Sequence, residues 1–361
     1  MSELNVNTIT DASGGNTASI NGATPTTDNT MGRNRIINGD MRIDQRNAGA
    51  SVTPSGGNYT LDRWMFELSQ TSKLTVQQNA GAVTPPAGFS NYMGITSSSA
   101  YSSIATDYFW VNQRIEGFNT ADLAWGTANA SAITLSFWVR SSLTGTFSGA
   151  LSNSSQSRCY PFPFVINSAN TWEKKEITVA GDTTGTWATD NNAGIKLHIN
   201  LGTGSNRQGA ANTWASTDYR GGVTGSVSVV GTNGATLYIT GVQLEAGSVA
   251  TSFERRSYGQ ELALCQRYYE TFVNATIQGI FYDGYSNIAG QSMGINMPYK
   301  VTKRALPTVT SVGSWSTSNT SGSLTFNTGV ESLFAFYGSA SSGRVYWYNQ
   351  ANTGFTASAE L

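Results

Sequence analysis

The sequence predicts a mainly β protein. Charged residues make up only 12% of the 361 residues, whereas aromatic residues reach 11% and the polar residues are mostly Gly, Ser, Thr and Asn. Thr and aromatic side chains favour strands, and Gly, Asn and Ser favour turns. Disordered chains lack such aromatic content, because they cannot bury enough apolar surface to offset chain entropy. Several segments also alternate apolar and polar residues with a period of two, which is typical of strands with one buried face.

Residues 34–256 are predicted to form one sandwich of the jelly-roll kind. Alternation is clearest at 133–140, 172–179, 195–201 and 238–244, with turn signals such as Asn233-Gly234 between them. In the first segment one face carries Ile133, Leu135, Phe137 and Val139, and the other carries Thr134, Ser136, Trp138 and Arg140. The number and spacing of these strands suit a jelly roll or a related sandwich.

A single short helix is predicted over residues 257–272. Ser257 and Gln260 have the spacing of a capping box. A stripe at heptad-like spacing follows, formed by Tyr258, Leu262, Cys265 and Tyr269. The stripe packs either on the chain's own sandwich or against two other copies around a threefold axis. We favour the homotrimer, because Leu264, Tyr268 and Phe272 give so short a helix a second apolar edge.

Two further segments complete the chain. Residues 1–33 are polar, with too little apolar material to fold alone, and are expected to be a disordered tail or a segment that orders on a partner. Residues 273–361 are predicted to form a smaller C-terminal β domain, which includes the aromatic stretch at 344–348.

Two motifs carry a resemblance to a known family. The opening motif, residues 33–43, reads RNRIINGDMRI and is followed by LDRW at 61–64. The closing motif, residues 237–258, contains LYITGVQLEAG and SFERRSY and leads into ELALCQRYYE at 261–270. Together they resemble the ends of a jelly-roll module in bacteriophage tail fibres and related virion appendages, with similarity to carbohydrate-binding modules. The resemblance covers roughly residues 1–270.

The resemblance implies a part of a virus particle rather than an enzyme. It also implies that residues 1–33 dock onto other virion tail proteins, since such fibres usually attach by their N-termini. Jelly-roll modules of the carbohydrate-binding kind often hold a calcium ion. Whether this chain binds one stays open, although no Asp-rich loop supports it. Neither the host, nor the receptor, nor the choice among fibre, nozzle, collar and head decoration follows from the sequence.

Composition and motifs exclude several other classes. A net charge of −1, with 21 basic residues spread over the chain, argues against nucleic-acid binding. No stretch approaches about 20 apolar residues, so no membrane insertion is expected. Residues 1–5 show no secretory signal, so the chain is expected in the host cytoplasm and then in the virion tail. The two cysteines form no disulfide framework, no cluster has the spacing of a metal site, and no cofactor is expected.

Aromatic residues in loops and at the C-terminal end are the candidate glycan-binding residues. Sugar rings stack on Trp and Tyr, which combine flat apolar area with a polar edge. The candidates are Trp187, Trp214 and Tyr219 in turn-rich stretches and Tyr346, Trp347 and Tyr348 in the last domain. The first three also suit loop packing or a trimer interface. In the last group Trp347 opposes the two tyrosines, so one face is core and the other is free to bind.

Catalysis finds little support in the sequence. The lone histidine, His198, lies in an alternating strand and suits a surface or packed position, and no Gly-x-Ser-x-Gly motif accompanies it. Asp182, Asp190 and Asp218 suit turn chemistry, and Glu245 and Glu254 suit structural pairing with Arg255 or Arg256. We therefore expect no enzyme. Two carboxylates can suffice to cleave a glycan, so counting alone leaves a depolymerase open.

These observations favour a structural and adhesive virion protein. It would be a homotrimeric tail fibre that docks by residues 1–33 and contacts a host-surface glycan or lipopolysaccharide by its C-terminal domain. Several arms that bind weakly would together attach firmly. Two alternatives stay open: a tailspike-type polysaccharide depolymerase, and a structural or decoration protein that binds no ligand.

Overall fold

A computed structural model of the chain describes residues 32–273 and 279–361, and within these ranges it confirms the mainly β fold with one α-helix. The strands of the N-terminal domain, in chain order, are β1 (Asn58–Tyr59), β2 (Met65–Leu68), β3 (Leu74–Gln78), β4 (Met93–Ser97), β5 (Phe109–Glu116), β6 (Ile133–Ser141), β7 (Gly145–Ser152), β8 (Cys159–Ile166), β9 (Glu173–Val179), β10 (Ala193–Asn200) and β11 (Thr236–Ala246). Short 3₁₀ turns lie at Ala80–Ala82, Gly117–Asn119, Ala121–Leu123 and Ser205–Arg207.

These strands form a two-sheet antiparallel sandwich. One sheet has the order β1-β2-β5-β10-β7-β8 and the other β3-β4-β11-β6-β9. The predicted inward residues of β6 are all buried, and they join a core that includes Trp64, Phe66, Phe109 and Phe147. Alternation in β6 therefore turns Thr134, Ser136, Trp138 and Arg140 away from the core.

The opening and closing motifs pack directly on each other. The Arg35 amide donates to the Leu244 carbonyl at 2.9 Å, and the Val242 amide donates to the Gly39 carbonyl at 2.9 Å. The Arg42 guanidinium donates to the Arg256 carbonyl at 3.0 Å. The two motifs are about 200 residues apart in the sequence, yet hydrogen bonds join them directly in the fold.

The helix α1 (Tyr258–Gln266) is shorter than predicted. Its cap is confirmed, because the Gln260 amide donates to the Ser257 hydroxyl at 3.3 Å. Residues Tyr269–Thr271 instead form strand β12, which pairs with a strand of the C-terminal domain.

This geometry corrects the prediction that Cys265 and Tyr269 belong to a trimer interface. Cys265 is fully buried against Ile37 and Ile43 of the same chain. The ring of Tyr269 lies 3.6 Å from the Arg46 guanidinium carbon and is 9% exposed. Both side chains are thus enclosed by their own subunit, because the opening motif and the loop after it cover that side of the helix. Leu262 is half-buried, and Tyr258 remains 57% exposed.

The C-terminal domain contains three small sheets around an aromatic core. Its other strands are β13 (Gly279–Ser286), β14 (Ser292–Pro298), β15 (Thr308–Val312), β16 (Trp315–Ser318), β17 (Thr320–Thr328), β18 (Ser332–Ser339), β19 (Gly343–Asn349) and β20 (Gly354–Ser358). The sheet orders are β12-β20-β15, β13-β19-β16 and β14-β18-β17. Trp347 and Phe355 are fully buried at the centre of this domain.

The last residues of the chain lie against the sandwich. The Glu360 carboxylate pairs with the guanidinium groups of Arg46 and Arg63. The Tyr59 hydroxyl donates to the Leu361 carbonyl at 2.9 Å, and the Arg304 guanidinium of the C-terminal domain donates to the Asn191 carbonyl of the sandwich at 2.7 Å. Charged contacts therefore hold the C-terminal domain to the N-terminal one.

Of the predicted docking segment, residues 1–31 lie outside the described residues. No helix within 32–273 or 279–361 is long and apolar enough to cross a membrane.

Candidate functional site

An aromatic cleft lies on the outer face of the five-stranded sheet. Its floor is Trp138, which alternation in β6 turns outward. Across the sheet Trp138 is in register with Thr240 on β11 and Lys174 on β9. A half-buried indole thus lies among polar neighbours on a surface where polar residues are expected.

A bulge in β11 lets the loop that carries Phe89 approach Trp138. The pairing with β6 shifts register between Thr240 and Gln243, and Gly241 has a φ of 62°. A Cβ atom at Gly241 would lie 2.6 Å from the Phe89 ring and 3.2 Å from the Trp138 ring. Glycine is needed both for the left-handed backbone and for the close approach of the two rings.

Two phenylalanines and a cation form the wall of the cleft. The rings of Phe89 and Phe253 meet edge to face with centroids 5.2 Å apart. The Arg255 guanidinium carbon lies 4.8 Å from the Phe89 centroid. The cavity measures about 250 Å³, and its lining residues are Phe89, Ser136, Trp138, Lys174, Gly241, Ser252, Phe253 and Arg255.

Trp138 differs from the other eight tryptophans in its indole N–H. Seven of the nine donate it to an acceptor within the chain, namely Trp64, Trp110, Trp125, Trp172, Trp187, Trp214 and Trp315. Trp347 is fully buried, and its nitrogen has no hydrogen-bond partner among the described residues. Trp138 has no acceptor among the described residues either, but it is half-buried and its nitrogen is not enclosed. It therefore offers both a ring face and a free donor to a ligand.

The predicted candidates Trp187 and Trp214 form part of a packed indole cluster. Their ring centroids are 5.5 Å apart and lie 4.7 and 5.3 Å from Trp125. Each N–H donates to a loop carbonyl, that of Trp187 to Thr184 and that of Trp214 to Ala180. Both side chains are half-buried, and their polar edges are already used inside the chain. The geometry is that of loop packing.

Tyr219 lies apart from this cluster. It is half-buried, and its ring fills the space beside Gly209, where any Cβ would collide with it. The adjacent Asp218 and Arg220 pair with each other at 2.7 Å. Tyr219 thus packs against Gly209 of its own loop region.

The C-terminal aromatic residues divide between core and surface. Trp347 is fully buried and stacks on Phe281 with centroids 5.2 Å apart. This position corrects its prediction as a glycan-binding residue, because no part of the ring reaches the surface. Tyr346 and Tyr348 are half-buried on the opposite face of β19, in register with Ser318 and Ser316 on β16. They form a second aromatic surface.

The carboxyl groups of the three candidate aspartates each accept hydrogen bonds from neighbouring residues. Burial would raise the pKa of Asp182, but hydrogen bonds from Arg158 at 2.7 and 2.8 Å outweigh it and lower that pKa. Burial would likewise raise the pKa of Asp218, and Arg220 lowers it. The Asn192 backbone and side-chain donors lower the pKa of Asp190. None of these carboxyl groups is tuned to donate a proton near neutral pH.

The glutamates and His198 have structural positions. Glu245 accepts from the Thr251 amide at 2.9 Å, and Glu254 accepts from the Asn34 amide at 2.6 Å. His198 is fully buried with its Nε2 3.1 Å from the Ser152 hydroxyl, and burial lowers its pKa well below the usual value. Within the described residues, no group of three or more His, Cys, Asp or Glu is placed to hold a metal ion.

The cleft contains residues that sequence reasoning did not select. Alternation places Trp138 on the polar face of β6, and a large aromatic side chain at such a position is a usable signal. Phe89, Phe253 and Arg255 lie in irregular segments with no periodicity. They come close to Trp138 because of the bulge at Gly241. No pattern in the sequence predicts that bulge.

Comparisons with known proteins give low similarities. No protein-family model matches the chain, and no curated protein matches it. Among solved structures, the chain is similar to the enzymatically active domain of tailspike protein 4 of bacteriophage CBA120. The identity is 12% and the TM-score 0.32, over 59% of this chain and 21% of that chain.

Two carbohydrate-binding modules are also similar to the chain. One is a family 11 module from Clostridium thermocellum in complex with a β-1,3-1,4-mixed-linked tetrasaccharide, at 12% identity and a TM-score of 0.27, over 56% of this chain and 98% of that chain. The other is TmCBM61 in complex with β-1,4-galactotriose, at 10% identity and a TM-score of 0.27, over 51% of this chain and 88% of that chain.

Proposed function

We propose that this protein binds glycan in the cleft around Trp138. The observation that carries the proposal is the half-buried indole whose N–H has no acceptor in the described chain. Aromatic rings stack on the apolar faces of sugars, and a free N–H at the ring edge can donate to a sugar oxygen. Phe89 and Phe253 give the floor a wall, and Lys174 and Arg255 add polar donors. Concave sites with apolar walls and a few polar groups are typical of small-ligand recognition.

Trp138→Ala should weaken glycan binding about 30-fold, which corresponds to about 2 kcal/mol for a central aromatic residue. A glycan array would identify ligands, and calorimetry would then give the affinities of wild type and variant. Trp187→Ala is the matched control, because it removes another half-buried indole whose N–H is already used inside the chain. It should lower thermal stability and leave affinity unchanged. Equal affinities for wild type and Trp138→Ala, or no bound glycan, would contradict the proposal.

We propose further that the protein is a structural and adhesive component of a virion appendage, made in the host cytoplasm and incorporated into the tail. Its support is the resemblance carried by the opening and closing motifs, which pack on each other in the fold. Residues 1–33 would dock onto other tail proteins. Tyr346 and Tyr348 would provide a second contact to the host surface from the C-terminal domain.

We propose that the protein binds glycan without cleaving it. Support comes from the candidate acids, which are paired with arginines or with backbone amides and are not poised to transfer a proton. Incubation with a bound polysaccharide should release no new reducing ends.

We propose that three copies associate through the exposed side of α1. Tyr258 is 57% exposed, and Phe118, which is 61% exposed, lines a neighbouring cleft together with Gln260 and Leu264. Tyr258→Arg should convert a three-chain mass into a single-chain mass in native mass spectrometry, because it places a charge in an apolar contact. Tyr285→Arg, at a tyrosine that is 67% exposed on the C-terminal domain, should leave the three-chain mass intact. A single-chain mass for the wild type would contradict the trimer.

A further inference from the structure

Arg255 is an unusual cation on this surface. Its side chain is exposed, and its guanidinium carbon lies 4.8 Å from the Phe89 centroid and 5.7 Å from the Phe253 centroid. Among the described residues it has no carboxylate partner and donates no hydrogen bond. The neighbouring Arg256, by contrast, pairs with Glu261 at 3.3 Å. The two rings therefore hold the Arg255 guanidinium in place while its N–H groups stay free.

The surface around Trp138 carries an excess of positive charge. Arg140 lies two residues from Trp138 on the same face of β6, and Lys174 is opposite Trp138 on β9. Glu176 compensates one of these charges, because it pairs with Lys174 at 2.7 Å. Glu245, in register with Thr134 on the same face, is a second carboxylate. Three cations against two carboxylates leave a local excess of one, on a chain whose net charge is −1.

Glu254, the acidic residue next to Arg255 in the sequence, does not neutralise the charge of Arg255. The Glu254 carboxylate is turned toward the opening motif and accepts the amides of Gly32 and Asn34 at 2.8 and 2.6 Å. Its remaining ionic contact is with Arg256 at 3.8 Å. The free guanidinium thus faces the cleft without an internal counter-ion.

We infer that the ligand of this cleft is an acidic polysaccharide whose sugars carry carboxylates, such as uronic acids. The inference rests on the proposed function and adds the substrate class. A guanidinium presents a planar fork of donors that matches a carboxylate in two parallel hydrogen bonds. A uronic acid carries its carboxylate on the sugar ring, so one residue can stack on Trp138 and pair with Arg255. Lys174 adds a second, less directional cation.

The test compares acidic polymers with their carboxyl-reduced forms, which keep the backbone and lose the charge. Polygalacturonate, alginate and hyaluronan would be titrated against the full chain by calorimetry at low and at high NaCl. At least one acidic polymer should bind about tenfold more tightly than its reduced form, and the difference should shrink at high salt. Arg255→Gln should abolish the preference, and Arg255→Lys should restore part of it.

Lys300→Gln is the matched control, because Lys300 is an exposed cation on the other domain, with 62% of its side chain accessible. It should leave the preference unchanged. Equal binding of acidic and reduced polymers, an unaltered preference in Arg255→Gln, or no binding to any acidic polymer would overturn the inference. Binding to a neutral glycan that depends on Trp138 would overturn it and leave the proposed function standing. Loss of Trp138 dependence for every glycan would overturn the proposed function.

Discussion

Lys303→Ala is expected to destabilise the protein by about 3–5 kcal/mol, the range for removing one partner of a buried ion pair. Lys303 and Glu270 both have fully buried side chains, and the ammonium lies 2.6 Å from the carboxylate. The ammonium also donates to the Gln266 carbonyl at the end of α1 at 2.5 Å. Alanine would leave the Glu270 charge and that carbonyl buried without this donor. Denaturant unfolding followed by tryptophan fluorescence would measure the loss.

Lys300→Ala is the internal control for this prediction. Lys300 faces the same carboxylate at 3.9 Å, but 62% of its side chain is exposed. Its removal should change stability by no more than about 0.5 kcal/mol, because solvent screens such a contact. The double variant Lys303→Met with Glu270→Leu, which removes both charges, should recover most of the loss. Equal effects of the two single lysine variants would show that burial of the Lys303–Glu270 pair does not determine the loss of stability.

Gly39→Ala should destabilise the sandwich by about 3 kcal/mol, in the upper part of the range for an overpacked site. A Cβ at this position would overlap the Val242 carbonyl oxygen and lie 3.3 Å from the Ile36 side chain. The clash is with backbone, so no side-chain rotation relieves it. It would separate the opening motif from the bulge in β11, where the Gly39 carbonyl accepts the Val242 amide at 2.9 Å. Thermal unfolding monitored by circular dichroism would record the change.

Gly259→Ala provides the matched comparison. Gly259 lies in α1, and a Cβ there would meet nothing within 4 Å. The same chemical change should therefore stabilise the protein by about 0.5 kcal/mol, because alanine loses less chain entropy in a helix. If Gly39→Ala were as well tolerated as Gly259→Ala, the contact between the two motifs would not contribute to stability as argued.

Local patterns allowed much of the fold to be predicted. The period-two alternation at 133–140 gives the faces of β6, because successive side chains of a strand point to opposite sides. Ser257 caps α1 as its spacing with Gln260 indicates. The buried face of β19 holds Trp347, one of the two possibilities that its alternation allows. These features depend on neighbours a few residues apart, and short-range physics determines them.

The sequence by itself thus determined the β class, the faces of the clearest strands and the start of the helix. Only the tertiary structure decided that Cys265 and Tyr269 are enclosed by their own subunit, and that Trp187 and Trp214 pack as a cluster. It alone brought Phe89, Trp138 and Arg255 to one cleft. The physical reason is that alternation specifies which side a residue faces but not what covers that side. The cover comes from loops and bulges distant in sequence, whose approach depends on space left by residues such as Gly39 and Gly241.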